Sequence, residues 1–331
     1  MDCYSEPIVY AVKHKNFTTR MLSRSGGMFT AVSDFVLNNG GVVYGCILSD
    51  DFKAIHVSAT TVDERNKMRG SKYIQSEIGE VYKKIKIDLS LNKMVLFSGT
   101  SCQVAGLKSY LGKDFNNLLC LDILCFGVPS PYVFNRYVKW QEKKNKAKCN
   151  LVDFRNKKDF GWEEHIETLY MKNKGGTIKV NSSVFRNLFL GRNILRPSCY
   201  KCPYKDVMHP SDITIGDFWG IENAVSGFND NYGVSLVLIN NEKGKRVFDS
   251  IKDLDFFICN LKDSLQPVLI EPFSMPLERE EFWKDFNMRS FDYIAEKYAD
   301  YPRHRFFSEI FHSFSNFVGR YKNYIFGVLG K

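Results

Sequence analysis

The chain has 331 residues, 44% of them hydrophobic, and a formal net charge of +9. That length buries a substantial core without disulfide staples, and a modest, dispersed positive charge with no helix-turn-helix, finger or RNP signature argues against nucleic acid. Nine cysteines, no secretory signal in Met-Asp-Cys-Tyr-Ser-Glu-Pro and no apolar run of membrane-spanning length predict a cytoplasmic protein whose thiols stay free.

Residues 1–15 carry little periodicity and read as a short lead-in strand or a trimmed remnant, of a ferredoxin module in the family resemblance drawn below. Ser25-Gly26-Gly27 precedes a helix predicted over Met28–Asn38, where Phe29, Val32, Phe35 and Val36 recur at helical spacing. Gly40-Gly41 stops that helix, and Val42–Leu48 and Ile55–Thr60 read as strands. A helix is predicted over Ser76–Leu91, and a strand over Met94–Phe97 that ends in Ser98-Gly99-Thr100-Ser101-Cys102. Gln103–Leu111 resumes as a helix and Leu118–Leu124 as a buried strand, which is α/β grammar. Pro131 opens a helix running to about Lys143, and Leu169–Val180 folds around a Gly175-Gly176 hairpin. Strands follow at Asp212–Ile215 and Val234–Ile239, with a helix from Glu242. The final segment, Phe306–Leu329, carries an aromatic stripe at helical spacing. It reads first as a helix docked on its own domain, and second as a peripheral membrane or partner helix. The predicted fold is α/β of the mixed α+β kind, a central sheet flanked by helices with a cysteine-rich insertion and a C-terminal helical segment. The expected divisions are 1–15, 16–270 and 271–331.

The cysteines carry the chemistry. Cys199 and Cys202 form a Cys-x-x-Cys followed by proline, the way a ferredoxin-type ligand pair is often presented. Two thiolates cannot complete a four-ligand site. Cys102 and Cys125 are the best complements, because each sits in a glycine- or proline-punctuated turn after an apolar run. Spacing alone leaves an iron–sulfur cluster, a zinc site, a redox dithiol and cysteines with no ligand at all open. Cys46 and Cys120 lie inside apolar strand-like runs and read as small buried hydrophobes.

Glycines and charges suggest a second site. Ser25-Gly26-Gly27 and Gly99-Thr100-Ser101 each stand before a helix, where backbone N–H groups face a phosphate. Arg69-Gly70-Ser71-Lys72 adds cations and a hydroxyl suited to a diphosphate. Glycine before a helix is more often just a tight connection, and neither a Rossmann nor a Walker loop is present. Asp217 either caps a turn or bonds a flavin ring or ribose, and Phe218 and Trp219 either fill the core or shield a flat ring. Asp206 and His209 are proton-transfer candidates, although a loop histidine is more often solvated. No triad can be assembled, so no catalytic residue is assigned.

Taken in order from Tyr10 to Arg279, these words resemble the beta-subunit family of coenzyme F420 hydrogenases and dehydrogenases, F420 being a deazaflavin. The matching pieces are Ser25-Gly26-Gly27, Gly40 to Gly45, Arg69 to Tyr73, Gly99 to Gln103, Asp122 to Pro131, Phe154-Arg155 with Gly161-Trp162, and Cys199-to-Cys202 followed by Ser211 to Gly220. The resemblance implies an FAD-binding oxidoreductase with one four-iron, four-sulfur cluster. Cys102, Cys125, Cys199 and Cys202 would hold the cluster. Ser25, Gly26, Gly27, Arg69, Gly70, Ser71, Lys72, Tyr73, Gly99, Thr100 and Asp217 would serve the flavin. Relatives include deazaflavin-reducing subunits and accessory proteins of surface-polysaccharide gene clusters. The implied partners are a ferredoxin or another electron-carrier protein and a small-molecule or deazaflavin acceptor.

Relatives often begin with a ferredoxin module, and this chain has only Cys3 there, so its electrons are expected from a separate ferredoxin or a partner subunit, or else its reaction differs. Lys201 and Lys205 then offer positive charge to an acidic ferredoxin. Ser101 stands where the family usually has proline, and Phe126 where it usually has histidine. The alternative from a different class is a non-catalytic interaction protein whose cysteines hold zinc.

Overall fold

The structure is a computed structural model and describes residues 3–302. Its strands are β1 (Cys3–His14), β2 (Val42–Leu48), β3 (Ala54–Ala59), β4 (Ser76–Glu77), β5 (Val95–Thr100) and β6 (Leu118–Ile123), then β7 (Lys148–Asp153), β8 (Glu167–Asn173), β9 (Gly176–Ser182), β10 (Ile213–Asp217), β11 (Ser235–Asn241) and β12 (Leu254–Cys259). Nine of them form one sheet in the order β12-β1-β11-β10-β6-β5-β2-β3-β4, and β7, β8 and β9 form a separate antiparallel sheet. The fold is therefore mixed α/β, with a large central sheet flanked by helices, as the sequence predicts.

Strand direction decides where a site can form. β2, β5, β6 and β10 are parallel neighbours. β1 is antiparallel to β11, which is antiparallel to β10, so β1 runs the same way as the parallel group. The carboxyl ends of five strands thus gather along one border of the sheet. Loops leaving such a border are where ligands bind in α/β folds.

Residues 3–14, expected as a lead-in, are a full member of this sheet, paired on both sides by β11 and β12. Val9, Tyr10, Ala11 and Val12 are all buried. A strand covered on both faces needs an unbroken apolar run rather than alternation. The first long helix, Met28–Asn38, buries Met28, Ala31, Val32 and Val36 on one face and ends where Gly40 takes φ +69°. The region predicted as one helix over Ser76–Leu91 divides instead. Ser76 and Glu77 pair with Ala54 and Ile55, Gly79 turns at φ +52°, and the helix begins only at Val81.

A second layer surrounds the helix Pro131–Asn145, which starts with proline where no backbone donor is needed. It packs with the small sheet and the helices Val184–Leu190, Arg279–Met288 and Phe291–Tyr298 around Phe134, Tyr137, Phe154, Phe185, Phe286 and Phe291. Trp140 Nε1 donates to Asp292 Oδ1 at 2.8 Å, tying residues 279–298 to this layer. The predicted segment Phe306–Leu329 lies outside the described residues. Among the described residues no helix is long and apolar enough to cross a membrane.

Candidate functional site

A cleft of about 280 Å³ opens at the carboxyl ends of the parallel strands. Of the eleven residues that the sequence proposes for a flavin, Ser25, Gly27, Arg69, Gly70, Ser71, Lys72, Tyr73, Gly99, Thr100 and Asp217 line it. Gly26 does not. It is wedged against the sheet, where a Cβ would stand 2.1 Å from Val12 O and 2.6 Å from Ser235 N. Gly27 takes φ +99° and begins the helix Met28–Asn38 with no side chain capping its first turn. Those first-turn N–H groups and the positive end of the helix are available to an anion beside Met28 and Phe29 of the cleft wall.

Two cations sit close by. Arg69 is half-buried and donates from Nε to Thr30 Oγ1 at 3.1 Å, at the opening of the same helix. Arg24 is fixed by donating to Arg155 O and Trp162 O, each at 2.8 Å. Lys72, the lysine that the sequence aims at a diphosphate, turns inward. Its ammonium donates to Met68 O at 2.7 Å, Arg69 O at 3.0 Å and Gly70 O at 3.1 Å, and burial pushes it down to about 8. It braces the loop that presents Arg69.

Asp217 closes the opposite wall. Its carboxylate accepts from Arg155 Nη1 at 2.5 Å and from Trp162 Nε1 at 2.8 Å. Burial acts to raise its pKa, but Arg155 and Arg24 outweigh that and hold it below the usual carboxylate range. Phe218 is fully buried, while Trp219 is 42% exposed and stacks on Trp162 with ring centroids 4.9 Å apart. Other lining residues were not among those the sequence proposes, Cys46 and His56 among them. Cys46 and His56 pair directly across β2 and β3 and both border the cleft. The alternation that puts Tyr44 and Cys46 on one face of β2 was the signal available for Cys46.

The loops that carry the four proposed cluster cysteines adjoin one another beside this cleft. Thr100 on β5 pairs with Ile123 on β6, so Cys102 and Cys125 each follow two residues after neighbouring strand ends. Arg196 N–H donates to Val128 O and Ser130 N–H to Ile194 O, each at 2.9 Å. Those bonds carry the 3-10 turn Pro197–Lys201, with Cys199, onto the Cys125 loop. Val128 N–H donates to Cys199 Sγ at 3.4 Å, and Thr100 Oγ1 lies 3.1 Å from Cys102 Sγ. Burial pushes the Cys125 thiol up to about 12, with Lys205 opposing and Cys199 and Cys102 adding to it. Burial likewise raises Cys199, and both Cys202 and Cys102 contribute. Among the described residues no three His, Cys, Asp or Glu side chains stand close enough to grip one metal ion.

Three further readings change. Lys205 is buried rather than displayed on the surface, and its ammonium donates to Cys125 O and Phe126 O. His209 is buried too, with Nδ1 2.9 Å from Asp122 Oδ2 and 3.2 Å from Ser101 Oγ. One nitrogen faces both groups, so this is no Ser–His–Asp relay, which needs the two ring nitrogens on opposite partners. Asp206 accepts from Val207 N–H and stabilises its own turn.

The family described as coenzyme F420 hydrogenase/dehydrogenase beta subunit, C terminus, matches residues 92–260, about half the chain. All four cysteines and Asp217 fall inside that stretch. A chain in the xenon-derivatised F420-reducing nickel–iron hydrogenase complex from Methanosarcina barkeri is similar in fold, with a TM-score of 0.50 over 76% of this chain and 82% of that one at 16% sequence identity. No curated protein matches.

Proposed function

The chain belongs to the coenzyme F420 hydrogenase/dehydrogenase beta-subunit family, which points to an oxidoreductase, and from that premise we propose an iron–sulfur flavoprotein that passes electrons between a carrier protein and a two-electron acceptor. The observation that carries this reading is convergence. Ten residues read as flavin contacts line one cleft, and Thr100 of that cleft touches Cys102 of the thiol quartet.

The residues suit both groups. Arg69, with the uncapped first turn after Gly27, would hold the FAD diphosphate. Lys72 keeps the Arg69 loop in shape, and the Arg155–Asp217 pair keeps the far wall in place. Cys102, Cys125, Cys199 and Cys202 would hold a four-iron, four-sulfur cluster, with N–H donors such as Val128 tuning the sulfurs. Such a cluster takes each thiolate on a different iron, so the ligands need not converge on one point as zinc ligands do. When bound, the flavin supplies electron exchange singly or in pairs and the cluster supplies exchange one at a time.

Cys102 is the exposed thiol of the four, and Lys201 is exposed nearby in sequence to Cys199 and Cys202. Electrons from a ferredoxin-like carrier would enter on that side, with Lys201 alone rather than Lys201 and Lys205 offering charge. Purification without oxygen followed by an absorption spectrum tests the proposal. Flavin bands with a broad shoulder that dithionite bleaches are expected. A colourless protein carrying stoichiometric zinc supports the interaction-protein alternative instead.

A further inference from the structure

Lys205 is 6% exposed, and its surroundings are unusual for a lysine. Its Nζ donates to Cys125 O at 2.5 Å and to Phe126 O at 3.0 Å. The ammonium also lies 4.7 Å from the centre of the Phe273 ring and 5.8 Å from that of Phe126. Carbonyl dipoles and ring faces replace part of its lost water, but burying a cation still costs several kcal/mol unless a negative charge answers it. Its place is beside the quartet: the carbonyl it bonds belongs to Cys125, and Cys202 stands three residues before it in the chain. Four thiolates around a cluster supply that negative charge.

We infer that Lys205 is the built-in counter-charge of the thiolate quartet, a positioning residue that closes the Cys125 loop and raises the reduction potential of the cluster held there. The inference rests on the cluster assignment above and adds to it. Reduction delivers one electron and no proton to the group, so its negative charge grows by one. A fixed cation beside the sulfurs favours that state through electrostatics at short range and low dielectric. Lys205 also links two segments eighty residues apart, since Cys125 follows β6 and Lys205 follows the Cys199–Cys202 turn.

The test compares wild type with Lys205→Gln, Lys205→Met and Lys205→Arg, each full-length and purified without oxygen. Iron per chain is measured first, then the midpoint potential by a dithionite titration followed by electron paramagnetic resonance. Glutamine keeps an N–H donor for the two carbonyls and loses the charge, so it separates bracing from electrostatics. With iron retained, Lys205→Gln and Lys205→Met are expected to make reduction about tenfold less favourable, about 59 mV more negative for a one-electron couple, while Lys205→Arg stays near wild type. An unchanged potential in Lys205→Gln overturns the inference. If the neutral variants lose iron, retention in Lys205→Arg supports the counter-charge and equal loss in Lys205→Arg overturns it. A wild-type protein without iron instead overturns the cluster assignment itself, whatever the variants do.

Discussion

The cleft and the cysteine face each contain a lysine turned inward, and the two are satisfied in different ways. Lys72 closes on carbonyls of its own loop, from Met68, Arg69 and Gly70, within four residues of itself. Lys205 reaches across the fold to Cys125 and Phe126. The first arrangement shapes a loop and needs nothing bound. The second joins segments that lie eighty residues apart in the chain. The cleft wall is therefore shaped by local contacts, whereas the cysteine face is built from distant segments.

That contrast breaks most visibly at the thiols. Cys125→Ala or Cys199→Ala should remove nearly all bound iron, while Cys46→Ala, in the cleft, should leave iron at the wild-type level. Elemental analysis of anaerobic samples reads both, and full iron in Cys125→Ala removes Cys125 from the quartet. The next effect is on the cleft wall. Arg155→Met leaves Asp217 buried without its cation, and the Arg155 and Asp217 side chains are 4% and 13% exposed. Breaking such a pair from one side costs about 3–5 kcal/mol, to be read as a lower midpoint in urea. A shift under about 1 kcal/mol means that the wall does not depend on this pair.

Both regions were partly legible in the sequence. Met28–Asn38 and Val42–Leu48 appear where periodicity places them, because one face of the helix and the flanking glycines leave little choice. β1 was hard to see because a doubly covered strand shows no alternation, and β4 because two residues paired to β3 carry no pattern. Most of the cleft could be named because glycine turns before helices stand out in a sequence. The roles of Lys72, Lys205 and His209 could not, since no local pattern tells which buried carbonyls and carboxylates lack a partner. Nor does the sequence show that Gly26 stands behind the cleft lining, its bare Cα packed on Val12 and Ser235.

A third prediction concerns the aromatic layer away from both sites. Burial pushes the Glu167 carboxyl up to about 7 from 4.5, although Phe185 N–H and Tyr137 Oη donate to it. Its folded-state pKa lies above the unfolded value, so its favourable contribution is complete below about pH 4.5 and is lost as pH rises through about 7. The loss is on the order of 3 kcal/mol. Glu167→Gln should flatten stability across that window relative to wild type. Parallel pH profiles would show that Glu167 titrates normally.

The smallest effect belongs to the cleft cation. Arg69→Gln should weaken FAD binding about tenfold, about 1.4 kcal/mol, with little change in urea midpoint, because its Nε bond to Thr30 Oγ1 is one polar contact in a half-buried position. Lys72→Met should lower stability as well as affinity, since it removes the one ammonium that ties the carbonyls of residues 68, 69 and 70 together. Equal losses of stability in the two variants would erase the distinction between a ligand contact and a loop brace.

The most direct measurement is the stoichiometry of one sample of full-length protein, purified without oxygen and reconstituted with FAD, iron and sulfide. One flavin, four irons and four acid-labile sulfides per chain are predicted, with Cys199→Ala keeping the flavin and losing the iron and sulfide. A wild-type protein that holds no labile sulfide, or that loses flavin and iron together in Cys199→Ala, contradicts a cleft and a thiolate site that are adjacent yet separately built.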